Sequence, residues 1–283
     1  MKKSDTIFLL ARQRSGTNAL RSALETHPDI YCHNEVFNLA DLDSTDDPKL
    51  REINFFNFQA KYARSDPRLL LPSNHENLFL DFLEYLRCFT SKRYMLIDVK
   101  YNTTHFLTEP NKWMAAPYLF YLIKTHGLRV MNLTRRNYLR YAISTVKAEQ
   151  TGVWTVPVAG GSVKDQPVTL EIDYLMRLLD ACDVESRMVD GYFANYAGYR
   201  VWEYEDAFTP EGGGVSSELL RALAAELGIA DSFEVQTRYG KQSYLPLEET
   251  IENYDEVAAA LRGTRFEYCL DDERAYRGVA VVR

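Results

Sequence analysis

Short apolar runs alternate along this chain with longer stretches in which apolar residues recur at helical spacing. This alternation limits the folds that the chain can adopt. The first run, Thr-Ile-Phe-Leu-Leu-Ala at 6–11, is apolar after its first residue instead of at every second residue. Such a run is typical of a strand buried on both faces of a parallel sheet. Strands are predicted at 6–11, 30–32, 94–99, 129–134 and 200–204. The pattern predicts an α/β protein with a mostly parallel central sheet flanked by helices.

The helical stretches show apolar residues three and four positions apart and residues suited to capping. Apolar side chains recur at helical spacing over 77–89, and Asn137 stands where it can cap a helix that runs to about 150. Helices are further predicted at 17–25, 113–124, 170–196, 217–227 and 248–261, short helices and loops over 38–75, and a loop over 152–167. The chain has no internal repeat, and we expect residues 1–283 to form a single domain.

Composition and charge exclude several classes of protein. Of the 283 residues 46% are hydrophobic and 26% charged, which is ordinary for a globular protein and excludes a disordered chain. The net charge of −7 argues against a general nucleic-acid binder, because such proteins carry a basic excess. Any anion that this protein binds must therefore be held by a local cluster of cations.

Cysteine spacing and hydropathy bear on metal sites and cellular location. The four cysteines lie far apart, and no cluster of metal ligands is visible, so no metal is expected. The apolar segment that ends at Ala11 is too short to span a membrane and is followed by arginines, not by a signal-peptide cleavage site. We expect a cytoplasmic protein without a transmembrane segment, and whether it forms a homo-oligomer stays open.

The turn after the first strand has the composition of an anion site. Residues 12–18, Arg-Gln-Arg-Ser-Gly-Thr-Asn, join this strand to the first helix. A glycine and small hydroxyl residues allow backbone N–H groups to converge there, and the helix N-terminus adds partial positive charge. The two arginines supply charged N–H groups that can donate hydrogen bonds to an anion. The Walker A and GxGxxG patterns are both absent, which disfavours an ordinary ATPase and a Rossmann dehydrogenase.

Arg-Ser-Gly-Thr directly after the first strand resembles the 5′-phosphosulfate loop of sulfotransferases that use 3′-phosphoadenylyl sulfate (PAPS). The form Gln-Arg-Ser-Gly-Thr is similar to the bacterial carbohydrate and lipopolysaccharide branch of that family. The resemblance implies a P-loop-like nucleotide-binding fold, PAPS as the sulfate donor and adenosine 3′,5′-bisphosphate (PAP) as a product. The cofactor-binding residues that it implies in this turn are Arg12, Gln13, Arg14, Ser15, Gly16, Thr17 and Asn18.

A second predicted anion site follows the strand at 129–134. Ser144 lies eight residues after Arg136, as in the 3′-phosphate motif of the same family. Helix geometry independently places Ser144 on the side of the helix start, because it lies about two turns after Asn137. The role of Arg135 is left open, and pairing with a carboxylate is one interpretation.

Two later segments extend the resemblance. Arg-Val-Trp-Glu-Tyr-Glu-Asp at 200–206 resembles the late strand of the family, which ends in Tyr-Glu-Asp. Thr-Arg-Tyr-Gly-Lys-Gln at 237–242 resembles its C-terminal loop, which often closes over the cofactor. This likeness implies Arg238 and Lys241 as cofactor clamps, although basic residues on loops are usually only solvated.

Sulfuryl transfer needs a base for the acceptor hydroxyl and a cation for the leaving phosphate. Glu35 is the first candidate base, because His-Asn-Glu-Val-Phe-Asn at 33–38 resembles the Gly-Glu-x-Phe-Asn segment of bacterial sugar sulfotransferases, whose glutamate is the base. Asn replaces the glycine here. His105 is the second candidate, and His33 is a third candidate or lines the pocket. Arg14 is the first candidate for the cation and Lys100 the second.

The resemblance implies an acceptor hydroxyl on a carbohydrate, a glycolipid or a small metabolite. The aromatic residues at 55–58 and Trp154 have two open interpretations, stacking on such an acceptor or ordinary packing. Two other functions stay open. One is a nucleotide kinase or NTPase with Ser15 and Thr17 on magnesium, and the other is a non-catalytic nucleotide-binding module.

Overall fold

The computed structural model describes residues 5–39, 48–107, 116–154, 166–209, 214–234 and 245–271. The chain divides into two compact units, and each is assembled from three segments. The first unit comprises Met1–Gln13, His27–Asn132 and Asp190–Val201, and the second Arg14–Thr26, Leu133–Val189 and Trp202–Arg283. That the whole chain forms one domain stays a prediction.

A five-stranded sheet, parallel throughout, has the strand order β2-β3-β1-β4-β5. Its strands are β1 (Thr6–Ala11), β2 (Ile30–Glu35), β3 (Tyr94–Lys100), β4 (Arg129–Thr134) and β5 (Tyr199–Glu203). They lie in the first unit, except that β4 and β5 each end in the second. Every residue of β1 and β3 is buried, which explains the apolar run of β1 and the apolar start of β3. The predicted α/β class with a parallel sheet is confirmed.

The first unit has an aromatic core. Its helices are α2 (Pro48–Ile53), α3 (Phe55–Ser65), α4 (His75–Arg87) and α5 (Tyr118–Thr125). The ring of Phe55 lies 5.0 Å from that of Phe37 and 5.1 Å from that of Phe82, between centroids, and all three side chains are buried. Phe58 is also buried, with its ring 5.2 Å from that of Phe82. Phe55 and Phe58 are therefore core residues.

The second unit is built mainly from helices. They are α1 (Thr17–Leu24), α6 (Tyr138–Thr151), α7 (Ile172–Phe193, with its last turn in the first unit), α8 (Tyr204–Ala207), α9 (Ser217–Leu227), α10 (Leu247–Thr250) and α11 (Tyr254–Leu261). One face of α6 packs into an apolar cluster that includes Leu139, Ile143, Leu179 and Leu261. This packing leaves the two ends of α6 for polar contacts.

Several predicted boundaries differ from the structure. Strand β2 continues to Glu35 instead of ending at 32, and α5 begins at Tyr118. The single helix predicted over 248–261 is two helices, because the backbone N–H of Val168 donates to Thr250 and that of Glu252 donates to Val168, both at 2.9 Å. These bonds take the place of helical ones. Within the described ranges, no helix is both long enough and apolar enough to cross a membrane.

Candidate active site

The backbone at Arg14 is strained. Its φ is 63°, and it is the one residue other than glycine with a positive φ in the part of the chain that the structure describes. The left-handed conformation costs an L-residue with a Cβ about 1–2 kcal/mol. Strain of this kind persists where the surrounding structure enforces it, and it clusters at functional sites.

Gly16 permits the close packing of the same turn. Its φ is 83°, and an added Cβ would lie 2.9 Å from the Phe208 ring and 3.0 Å from the Tyr204 ring. Gly16 also occupies the N-cap position of α1 and has no side chain with which to cap it. The start of α1 therefore offers backbone N–H groups at a turn that carries an arginine.

The side chains of Arg14 and Ser144 are in direct contact. Arg14 donates to Oγ of Ser144 from Nε at 3.1 Å and from Nη2 at 3.0 Å. Its Nη1 donates to the backbone carbonyl of Trp154. Arg14 belongs to the first predicted phosphate motif and Ser144 to the second, so the two motifs are in contact. The groups that accept hydrogen bonds from Arg14, a hydroxyl and a backbone carbonyl, are neutral.

Two cations lie close together in this part of the second unit. Burial, followed by the charge of Arg135, lowers the pKa of Arg14 from 12.5 to about 10. The guanidinium of Arg135 stacks on the ring of Tyr204, with Cζ 4.5 Å from the centroid. Neither arginine has a carboxylate partner among the described residues. A bound anion would supply the negative charge that this pair lacks.

Arg136 has different surroundings. Its side chain forms ion pairs with Asp206 at 2.6 Å, Glu203 at 3.1 Å and Glu205 at 3.8 Å. The buried carboxylate of Glu205 also accepts from the backbone N–H groups of Arg136, at 2.9 Å, and Asn137, at 3.0 Å. Glu205 therefore fills the N-terminus of α6 as an internal anion. Asn137 caps this helix as predicted, because its side chain accepts from the N–H of Arg140.

A second cluster, in the first unit, joins Glu35, Asp98 and Lys100. The Nζ atom of Lys100 lies 2.6 Å from Oδ1 of Asp98 and 3.4 Å from Oε1 of Glu35. The side chains of Lys100 and Asp98 are 3% and 0% exposed, whereas that of Glu35 is 25% exposed. Lys100 is thus a buried cation between two carboxylates, one of which reaches solvent.

A β-bulge places Glu35 in this cluster. His33 pairs with Ile97, but Glu35 pairs with Asp98 in place of Val99, so the register shifts by one residue between them. Paired residues of neighbouring strands share a face of the sheet, and faces alternate along β3. The shift therefore moves Glu35 to the face of Asp98 and Lys100, away from that of Ile97.

The two histidine candidates lie in contrasting environments. His33 is 1% exposed, its ring lies edge-on to Tyr31 and Phe89, and burial lowers its pKa from 6.5 to about 4. A neutral, buried imidazole of this kind is a packing residue. His105 is exposed, after the short helix Tyr101–Thr103 that follows β3.

The remaining predicted residues are placed as follows. Ser15 and Thr17 are buried, Arg12 is half-buried, Gln13 is exposed, and Asn18 accepts a hydrogen bond from Arg21. Arg238 and Lys241 lie outside the described residues. Among the described side chains, no group of three His, Cys, Asp or Glu residues is arranged for a metal ion.

The chain resembles known proteins over most of its length, although no protein-family model matches it. It is 26% identical to nodulation protein H of Rhizobium meliloti (strain 1021) over 250 residues, which are 88% of each chain. It is 25% identical to nodulation protein H of Rhizobium tropici over 283 residues, which are 97% of each chain. The comparisons support a sulfotransferase enzyme. The chain also resembles a solved sulfotransferase from Alicyclobacillus acidocaldarius. The alignment spans 96% of this chain and 98% of the solved one, with 15% identity and a TM-score of 0.42.

Sequence reasoning missed several polar contacts of this sulfotransferase. The sequence leaves the role of Arg135 open and assigns no role to Asp98 or Glu205. A signal for Asp98 was present, because Asp98 and Lys100 are two residues apart in a predicted strand and so share a face. The sequence singles out the segment at 200–206 only through a resemblance. The structure gives its last three residues separate contacts, with Arg135 (Tyr204), the start of α6 (Glu205) and Arg136 (Asp206).

Proposed function

We propose that this sulfotransferase takes the sulfuryl group of PAPS and transfers it to a hydroxyl of a carbohydrate, a glycolipid or a small metabolite. The observation that supports this most is the contact between Arg14 and Ser144. By resemblance, these residues belong to motifs for opposite ends of one bisphosphorylated adenosine. Their meeting within the second unit is what a single nucleotide site requires.

The residues of the second unit fit an anionic nucleotide. Arg14 and Arg135 present positive charge without a carboxylate partner among the described residues, and the uncapped start of α1 adds partial positive charge. The proposed binding residues are the turn 12–18 for the 5′ end and Arg136 with Ser144 for the 3′ end. Arg238 and Lys241 are proposed as further clamps. When bound, the nucleotide supplies an activated sulfuryl group and a phosphate leaving group.

We assign Glu35 as the base, in preference to either histidine. Its partly exposed carboxylate takes the proton of the acceptor hydroxyl while that oxygen forms its bond to sulfur. Lys100 holds the carboxylate in place from the buried side. Arg14 stabilises the negative charge on the phosphate oxygen as the old sulfur–oxygen bond breaks. The products are a sulfate ester, PAP and one proton, carried by Glu35.

Trp154 supports a sugar as the acceptor. Its indole side chain is 46% exposed, and its backbone carbonyl is held by Arg14. Exposed aromatic rings beside a binding residue provide an apolar face for a sugar ring. A cytoplasmic location is proposed as well, because all four cysteines are free, as in proteins of reducing compartments.

Calorimetric titration with PAP, set beside ATP with magnesium, tests the donor. Binding of PAP without a divalent cation is expected, together with much weaker binding of ATP. Preferential, magnesium-dependent binding of ATP would favour a nucleotide kinase or NTPase. PAP binding without sulfation of any hydroxyl in a panel of sugars and glycolipids would favour a non-catalytic module.

A further inference from the structure

Asp98 is a buried carboxylate with no part in the sulfuryl transfer proposed so far. Its side chain is 0% exposed, and its Oδ1 atom accepts a hydrogen bond from Nζ of Lys100 at 2.6 Å. The Oε1 atom of Glu35 lies farther from the same Nζ atom, at 3.4 Å. Hydrogen bonds between a charged N–H group and a carboxylate are about 2.7–2.9 Å long. Lys100 is therefore bound closely by Asp98 and more loosely by Glu35.

We infer that Asp98 is a positioning residue for the base, which acts on Glu35 through Lys100. It holds the ammonium group beside Glu35 and supplies the counter-charge that this group needs when Glu35 takes up a proton. The inference rests on the proposed role of Glu35 as the base and gives Asp98 a task in the same step.

The charges of the Glu35 cluster (Glu35, Asp98 and Lys100) carry the argument. With Glu35 ionised, two carboxylates and one ammonium group add up to a single negative charge. Once Glu35 has gained the proton that the acceptor hydroxyl loses, the close pair of Asp98 and Lys100 is left, and its charges cancel. Without the charge of Asp98, the same proton transfer would neutralise the remaining carboxylate of the cluster, and a buried ammonium group is costly without a counter-ion. Asp98 therefore lowers the cost of proton transfer to Glu35.

The elements of the first unit that adjoin the Glu35 cluster present apolar or uncharged groups to it. On β1, the residues that pair with Asp98 and Lys100 are the apolar Leu9 and Ala11. Helix α4 packs against the opposite face of the sheet, at Phe8. The start of α3 contacts the segment after Glu35 through uncharged groups, the side chain of residue 54 and the backbone of residue 55.

Further titratable side chains at this end of the described strands are Arg12, His33, Tyr101 and His105. His33 lies on the opposite face of the sheet from Asp98. The hydroxyl of Tyr101 donates to Oδ1 of Asn132 at 2.6 Å. These four side chains stay the same in every variant of the test, so a difference in titration between variants reports the Glu35 cluster itself.

The test is the titration of the Glu35 carboxyl group in the full chain, followed by carbon-13 NMR of protein labelled at the side-chain carboxyl carbon of glutamate. The Glu35 signal is the one that Glu35→Gln lacks. Lys100→Met should raise the midpoint of this titration by about 1–3 pH units, because the ionised form of Glu35 loses a positive neighbour. Asp98→Asn should lower it by at least about 0.5 unit, because the ammonium group then acts on Glu35 without its closer carboxylate. A merely structural role would not move the two midpoints in opposite directions.

The double variant, Asp98→Asn with Lys100→Met, keeps the test decisive where a single variant is too unstable to titrate. It loses both charges, so its midpoint should lie above that of the wild type and below that of Lys100→Met. Arg68→Gln is the matched control, because Arg68 is 79% exposed and pairs with Asp66 in the same unit. Its Glu35 midpoint should stay within about 0.2 unit of the wild type, since solvent screens an exposed charge.

The outcomes separate this inference from the proposed function. A midpoint in Asp98→Asn equal to or above that of the wild type would overturn the inference and leave Glu35 as the base. A double variant that titrates at or below the wild type would overturn it as well. Wild-type turnover in Glu35→Gln would instead refute the proposed base, and with it the catalytic task of Asp98, whatever the midpoints. PAP binding should be the same in all these variants, so PAPS as the donor is tested independently.

Discussion

Glu35 pairs with Asp98 across the sheet, one position earlier than an uninterrupted register from His33 would place it. This shift brings the Glu35 carboxylate within 3.4 Å of the Lys100 ammonium group. A base has to be both accessible to the acceptor and held in one orientation. The bulge and the buried lysine together meet the two requirements for Glu35.

Replacement of Glu35 by glutamine tests its role as the base. We expect turnover to fall at least about a hundredfold, because a positioned general base contributes this much, while PAP affinity stays within about threefold. Steady-state kinetics and calorimetry on one preparation separate these effects. Glu84→Gln, an exposed position on α4 in the same unit, is the control. Undiminished turnover in the Glu35 variant would shift attention to His105.

The buried pair of Asp98 and Lys100 should be strongly coupled. Asp98→Asn and Lys100→Met should each lower the free energy of unfolding by about 3 kcal/mol, because each leaves the partner charge buried without its nearest counter-ion. The double variant should lose clearly less than the sum. Urea denaturation of the four proteins measures this, and additive losses would show that the pair is not coupled.

Gly16→Ala should damage both the fold and nucleotide binding. The new methyl group meets two aromatic rings at about 3 Å, and the backbone is in the left-handed region, so we expect a loss of about 3 kcal/mol in unfolding free energy. Gly228→Ala is the matched control, because its φ is 64° and nothing lies within 4 Å of its added Cβ. It should lose only about 1 kcal/mol and keep its PAP affinity. Equal losses in the two variants would refute the packing argument.

Acid should destabilise the protein through His33. Burial lowers the pKa of His33 from 6.5 to about 4, so between these values the unfolded chain binds more protons than the folded one. Its stabilising contribution is complete above pH 6.5, is lost as pH falls, and levels off below pH 4. We expect His33→Phe to remove about 2 kcal/mol of the difference in unfolding free energy between pH 7 and pH 5. Denaturant unfolding at the two pH values measures this. An unchanged difference would mean that His33 does not titrate in this window.

The parallel sheet and most helices were predictable, because buried strands and amphipathic helices leave periodic patterns. Helix α9 occurs with the predicted bounds, and α6 begins after its predicted cap. The bulge before Glu35 was not predictable, since it depends on pairing with a distant strand. The difference between Arg135 and Arg136 was hidden for the same reason. Only the folded chain brings three carboxylates of one segment to Arg136 and an aromatic ring to Arg135.

The Tyr204 ring has a practical consequence for protein engineering. Because it both packs on Gly16 and carries Arg135, the loop near the N-terminus and a helix about 190 residues later cannot be redesigned independently. A library intended to change donor preference would have to vary positions 14–16, 135 and 204–208 together. A library aimed at the acceptor could leave all of them untouched.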